Sequence, residues 1–169
     1  KETSACFRLA MDQKETPNAL LLTRQGVQVL ELEMDSIVDG VSKGAYSVMD
    51  CDNPELVFLA TGSEVSLAID VAKSMNDKRI RIVSMPCWEI FEKQSDEYKT
   101  SLIPDRGAMK ISMEAGIIDG WEKYIGPNGL SIGINHFGAS APGKNLAKEF
   151  GFTADQVEVK IRDHLKALL

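Results

Sequence analysis

The longest uninterrupted apolar run with strand character is Leu56-Val-Phe-Leu-Ala60. Five such residues in a row are the pattern of a strand covered on both faces of its sheet. Gly62 then allows a tight turn. Val65, Ala68, Ile69 and Ala72 recur at helical spacing and give one apolar face. Thr61 is the expected N-cap, with Glu64 three residues on reaching back to its backbone N–H. A second apolar strand follows at Ile80 to Met85, so residues 55–85 predict a βαβ unit with parallel strands and a right-handed crossover.

The rest of the chain reads as additions to that sheet. Tyr46 to Met49 alternates and predicts an edge strand. Ala108 to Met113 and Leu130 to Ile134 predict two further core strands. Short helices are expected over Glu89 to Gln94, Asp96 to Leu102, Trp121 to Ile125 and Leu146 to Phe150. Thr153 is the expected cap of a last helix, in which Val157, Ile161, His164, Leu165 and Leu168 share roughly one side. The fold class is therefore α/β: three layers, with a mixed, mostly parallel five-stranded sheet and helices on both faces.

The N-terminal residues do not open like a domain. Ser4 to Met11 predicts a helix, Pro17-Asn18 breaks it, and Ala19-Leu-Leu-Leu-Thr23 reads as a short buried-type strand. Gly26 to Gly44 has scattered apolar residues, several acids and three glycines, and reads as a linker rather than a layer. The expected organisation is 1–25 as the remnant of a preceding domain, 26–44 as a linker and 45–169 as the main domain.

Composition narrows the function classes. At 44% apolar and 26% charged the 169 residues suit an ordinary globular protein. A net charge of −6 without a basic stripe argues against a nucleic-acid surface. Cys6, Cys51 and Cys87 are odd in number, widely spaced and without a Cys-x-x-Cys, which reads as reduced thiols in the cytosol. No apolar run reaches membrane-spanning length and no signal-peptide pattern opens the chain.

Candidate chemistry is sparse. Thr61-Gly-Ser-Glu64 after a strand suggests a phosphate cradle. No glycine fingerprint for nucleotides accompanies it, however, and Glu64 would oppose an anion. Gly-x-Ser-x-Gly is absent. Cys87 has no histidine near it in sequence and reads as a packed thiol. His136, in a small-residue loop beyond a strand, reads as a hydrogen-bonding anchor, and His164 as structural. Glu114 follows a buried strand, where a raised pKa is expected, but has no visible partner. Arg24 closes the Ala19–Thr23 run. There it can hold a carboxylate or phosphate bidentately, or make a salt bridge across a domain edge.

Several of these stretches carry a resemblance. Thr16-Pro-Asn-Ala-Leu-Leu-Leu-Thr-Arg-Gln25 resembles a segment near the end of the pyrimidine-binding domain of transketolases. Lys43-Gly-Ala-Tyr46, Pro54 to Val65, Arg81 to Pro86, Phe91 to Gln94, Glu114-Ala-Gly116, Phe137-Gly-Ala-Ser-Ala-Pro142 and Phe150 to Thr153 are similar to family motifs and follow in family order. The resemblance implies a thiamine-diphosphate enzyme of the pentose phosphate pathway, moving a two-carbon ketol unit from a ketose phosphate to an aldose phosphate. It implies a cytoplasmic homodimer with Mg²⁺ or Ca²⁺ on the diphosphate. Arg24 matches the family arginine that binds the substrate phosphate. No catalytic, cofactor-binding or metal-binding residue carries over onto this sequence, so the expectation for these 169 residues alone is no cofactor binding, no turnover and a structural role that supports the dimer. Two other readings stay open. One is a regulatory small-molecule module with a crevice near Thr61, Glu114 and the 137–142 loop; the other is the same domain of a related thiamine-diphosphate enzyme.

Overall fold

A computed structural model describes residues 1–168. In chain order the elements are α1 (Glu2–Asp12), α2 (Met34–Ser42), β1 (Tyr46–Met49), β2 (Leu56–Ala60), α3 (Glu64–Ser74), β3 (Ile80–Ser84) and α4 (Trp88–Phe91). Then come α5 (Asp96–Leu102), β4 (Met109–Met113), α6 (Glu122–Ile125), β5 (Leu130–Ile132), α7 (Gly143–Glu149) and α8 (Ala154–Ala167). The sheet runs β1-β3-β2-β4-β5. β1 is antiparallel to β3, and the other three pairings are parallel. This is the expected α/β fold, with the mixed five-stranded sheet in the middle layer.

The continuous apolar run explains why β2 is central. Leu56, Phe58 and Ala60 point into one core with Ile82, Ile111 and Met113, packed under α3 and α8. Val57 and Leu59 point the opposite way, into a second core with Val83, Phe91 and Trp121. Successive side chains leave opposite faces of a strand, so only an unbroken run can serve two cores at once. The second core is rich in aromatic contacts. The Trp88 and Trp121 rings meet edge-on with centroids 4.7 Å apart. Polar side chains tie the layers. Arg81 on β3 donates to Asp50 at 2.6 Å and to the Ser101 carbonyl at 2.6 Å. Arg162 on α8 forks onto Asp77, just past α3, at 2.7 and 3.2 Å.

Gly44, two residues before the sheet begins, takes a φ of +84°, which disfavours side chains. A Cβ there would run into the Phe91 backbone nitrogen and the Cys87 carbonyl. The close approach lets the Gly44 carbonyl accept from the Cys87 N–H at 3.1 Å, joining the start of β1 to the start of α4.

Three expectations are corrected. Ala19–Thr23 forms no strand and is solvent-exposed. An apolar run becomes a strand only when a neighbour pairs its backbone, and no strand of the sheet lies beside it. Residues 26–44 carry a helix. α2 occupies Met34–Ser42 and buries Ile37, Gly40 and Val41. The two N-terminal helices dock together: Ala5, Ile37, Val41 and Tyr46 share a third, smaller core. Thr61 does not cap α3. Gly62, at φ +57°, turns the chain so that the Thr61, Gly62 and Ser63 carbonyls accept from the N–H groups of Glu64, Val65 and Ser66. These carbonyls satisfy donors that the capping hydroxyl was expected to serve, and the Glu64 side chain is free to turn elsewhere. Thr153 does sit at the N-cap of α8, but its hydroxyl donates to the Gln156 side chain at 2.7 Å rather than accepting from the backbone.

Candidate functional site

In this sheet β3 lies on one side of β2 and β4 on the other. Where the direction of winding reverses, the carboxyl ends of neighbouring strands leave a crevice that helices do not fill. A cleft of about 720 Å³ opens there. Its floor is the ends of β2, β3 and β4, represented by Thr61, Met85 and Glu114, with the first residues of α3. Its opposite wall is the irregular N-terminal segment, Ala19–Thr23 and Val27–Leu30, together with the start of α1.

Beside that third core, a carboxylate ties the start of α1 to this end of the sheet. Glu2 Oε2 accepts from the Tyr46 hydroxyl at 2.6 Å and from the Ser84 hydroxyl at 2.6 Å. Ser84 is wholly buried at the end of β3, so Glu2 supplies the partner that a buried hydroxyl needs. Burial, with Glu2 next to it, pushes the Tyr46 phenol far up. Sequence reasoning missed Glu2. It lies 82 positions from Ser84, and nothing local to either residue signals the contact.

The second electrostatic feature is a pair of carboxyls, Glu64 opening α3 and Glu114 just past β4, both lining the cleft. β2 and β4 run side by side in parallel with Ala60 level with Met113, which brings the two chain continuations to the same end. Burial and the neighbouring Glu64 charge push the Glu114 carboxyl up to about 7. Burial also raises Glu64, while the Ser63 hydroxyl, donating at 2.8 Å, and the Ala115 amide work to lower it. The raised pKa of Glu114 was anticipated; its partner was not. That juxtaposition depends on the register between β2 and β4, which nothing local to either glutamate signals.

The other anticipated residues divide. Thr61, Cys87 and Glu114 are brought together in the cleft, whereas the 137–142 loop does not line it. Cys87 is half-buried, donates to Glu89 at 3.4 Å and has its pKa raised by burial, the reverse of an activated thiolate. Burial pushes the Cys6 thiol to about 11. His136 Nδ1 lies 2.8 Å from the Phe137 carbonyl and its ring packs edge-on against Phe150. His164 Nε2 lies 3.0 Å from the Asn128 carbonyl, fastening α8 to the turn before β5. Both histidines are anchors.

Arg24 lies outside the cleft lining, in an exposed bend rather than at a strand end. Thr23 Oγ1 accepts from the Gln25 N–H at 3.2 Å, and the Gln25 side chain lies against Gly143. Arg24 enters no ion pair among the described residues. Among the same residues, no group of three or more His, Cys, Asp or Glu stands together as metal ligands. Among the described residues, no helix is long and apolar enough to cross a membrane. These described residues therefore offer no three-ligand seat for a divalent ion.

Residues 44–153 match the family described as the transketolase-like C-terminal domain. A transketolase of Staphylococcus aureus strain MW2 is 43% identical over 159 residues, which are 92% of this chain and 24% of that protein. The structure of a transketolase from Leishmania mexicana superposes with a TM-score of 0.89 at 41% identity, covering 98% of this chain and 24% of the other. A Pichia stipitis transketolase in complex with sedoheptulose 7-phosphate gives 0.88 at 36% identity over the same shares of the two chains. The chain thus spans about a quarter of the length of the curated relatives it matches.

Proposed function

The chain belongs to the transketolase family, and on that premise we propose that it works as the C-terminal part of an enzyme that transfers a two-carbon ketol unit from ketose phosphates to aldose phosphates. Residues 1–25 then end the pyrimidine-binding domain, 26–44 connect, and 45–169 form the C-terminal domain. The connecting stretch carries α2. Thiamine diphosphate with Mg²⁺ or Ca²⁺ belongs to the rest of the full-length enzyme, a cytoplasmic homodimer of the pentose phosphate pathway. No catalytic residue lies in this chain, and the main domain serves to support the assembly. The chain alone, given cofactor and metal, should turn over no substrate above background.

The direct contribution to the substrate is Arg24. Its exposed guanidinium, uncommitted to any acid among the described residues, is the observation that carries this reading. A planar fork of donors suits a phosphate monoester. Held at its remote phosphate, a sugar is aimed at the reacting centre by binding energy spent away from the chemistry. The complex of the Pichia stipitis relative with sedoheptulose 7-phosphate fits that substrate class. In the full-length enzyme, Arg24→Ala should raise KM for a phosphorylated donor by about 10–150-fold, the worth of a charge-assisted contact of ~1.5–3 kcal/mol. The same variant should leave an unphosphorylated donor unaffected. Arg24→Lys should recover only part of the loss. An unchanged KM in Arg24→Ala would remove Arg24 from the site.

A second reading, a small-molecule regulatory module, is favoured by the switch-point cleft. A saturable rise in melting temperature with a member of a nucleotide and sugar-phosphate panel would support it. A flat response across the panel would leave the domain a purely structural role.

A further inference from the structure

Arg24 stands in the middle of a stretch that lacks secondary structure to hold it. Residues 13–33 form neither helix nor strand, and among the described residues no backbone hydrogen bond joins them to a strand. The stretch is fixed through α1 instead. At one end it leaves α1 directly, and the Asn18 side chain reaches back to the Ala10 carbonyl at 3.5 Å. At the other, Lys1 Nζ donates to the Leu32 carbonyl at 2.7 Å, and Leu30 and Leu32 pack against the third core. Between these ends, Ala19–Thr23 lines the same cleft as Lys1, Glu2 and Thr3. Where α1 sits therefore decides where Arg24 sits.

Two kinds of contact set α1 against the sheet. The third core is apolar, and apolar contact is non-directional: it keeps a helix near but tolerates sliding and rotation about its axis. Glu2 supplies the direction. Its Oε2 accepts from the Tyr46 and Ser84 hydroxyls, each at 2.6 Å, short as hydroxyl-to-carboxylate bonds are. Tyr46 opens β1, Ser84 closes β3, and the two are level with each other in the antiparallel ladder. Both are buried. One oxygen on which donors from two paired strands converge fixes the first turn of α1 in a single place. On the premise that Arg24 binds the substrate phosphate, we propose that Glu2 is a positioning residue for it. The carboxylate locks α1 to the sheet in one register, α1 carries residues 13–33, and the guanidinium is thereby held where a sugar phosphate reaches it. A shift of about 1 Å, far from the chemistry, is enough to spoil such an alignment. The main domain then does more than support the assembly: two of its strands, through one carboxylate, set the phosphate end of the site.

The test is made in the full-length enzyme, with steady-state kinetics on a phosphorylated and an unphosphorylated donor. Trypsin cleavage after Arg24, timed by mass spectrometry, reads how firmly the stretch is held. Glu2→Ala should raise KM for the phosphorylated donor by about 3–10-fold, less than Arg24→Ala does, with kcat and the KM for the unphosphorylated donor in place. Added to Arg24→Ala, it should raise KM no further. Cleavage after Arg24 should quicken about 3–10-fold in Glu2→Ala. Glu2→Gln keeps an acceptor oxygen and should restore both readouts most of the way. If Glu2→Ala does not fold, Tyr46→Phe removes one donor, keeps the ring, and should move both readouts the same way by less. Unchanged cleavage after Arg24 overturns the tether. A KM raised equally for both donors, or additive in the double variant, overturns the positioning of Arg24. So does an unchanged KM in Glu2→Ala beside a raised one in Arg24→Ala, whereas an unchanged KM in Arg24→Ala overturns the phosphate assignment itself.

Discussion

Leu56–Ala60 and Ala19–Thr23 are two apolar pentads or near-pentads of similar composition, and they end in opposite states. Every residue of the first is buried, and Phe58 is 0% exposed. In the second, Leu21 is 93% exposed and its backbone joins no sheet. The difference is not propensity. β2 has a parallel neighbour on each side and an apolar helix layer above and below. The N-terminal run has the cleft on one side and solvent on the other. Hydrophobic pattern states what a segment can bury; partners decide whether it does. Phe7, Met11, Leu22, Val27 and Val29 are exposed in the same N-terminal region, so apolar surface concentrates there rather than over the sheet.

The largest effect should come from the sheet side of this comparison. Phe58→Ala opens a void in the core under α3 and α8 and should cost about 3–5 kcal/mol, read as a fall in the denaturation midpoint without a change in slope. A loss below about 1 kcal/mol would mean that the layers close over the gap, and the contrast with the N-terminal run would weaken.

Next comes the joint between the two regions. Glu2→Ala removes the acceptor from the buried Ser84 hydroxyl and from Tyr46. Leaving such groups unpaired costs about 1–3 kcal/mol. Part of that loss should be local, with exchange rising first in α1 and α2. Glu2→Gln keeps one acceptor oxygen and should lose less.

How far the sequence carried the fold is clearest at these positions. The five strands, the central βαβ unit and α8 were legible because burial on one or two faces imprints a period of two, none or 3.6 on the residues. α2 was hidden: Met34–Ser42 buries only one narrow stripe, and its acids and Gly40 dilute the signal. The Thr61 cap was misread because a capping box and a glycine turn compete for the same N–H groups, and Gly62 decides between them through a backbone angle that composition does not announce. At the site, the elevated Glu114 pKa follows from its place after a buried strand. The Glu64 partner needed the register between β2 and β4, which no single sequence displays. Arg24 was legible as a cation but not as an exposed bend.

The pH dependence of stability probes the floor that lies between the two regions. Glu114 has its pKa raised on folding to about 7. The native state therefore binds more protons than the unfolded chain between the ordinary glutamate range and 7, and stability falls with rising pH across that window. Below the window the contribution is fully present, and above it none remains. Part of the carboxyl is open to water, so the expected loss is about 1–2 kcal/mol after discounting for screening. Glu114→Gln should flatten the profile in that window. A wild-type profile that rises across it has the opposite sign and would place the native carboxyl below its unfolded value.

The smallest effect, and the one that tests the comparison most directly, belongs to Leu21. A side chain 93% exposed has little contact to lose, so Leu21→Ala should shift stability by no more than about 0.5 kcal/mol. The same truncation at Leu59, on the opposite face of β2 from Phe58, removes a wholly buried side chain and should cost about 2–5 kcal/mol. The two leucines have identical chemistry, so the ratio of their costs isolates burial from propensity. Sedimentation at rising concentration adds what denaturation does not read. If the exposed N-terminal leucines drive association between copies, Leu21→Ala should weaken it while leaving the unfolding midpoint of the monomer in place. A stability loss at Leu21 approaching that at Leu59 would show that the run is covered in solution, and the division between a paired sheet and an unpaired N-terminal run would have to be abandoned.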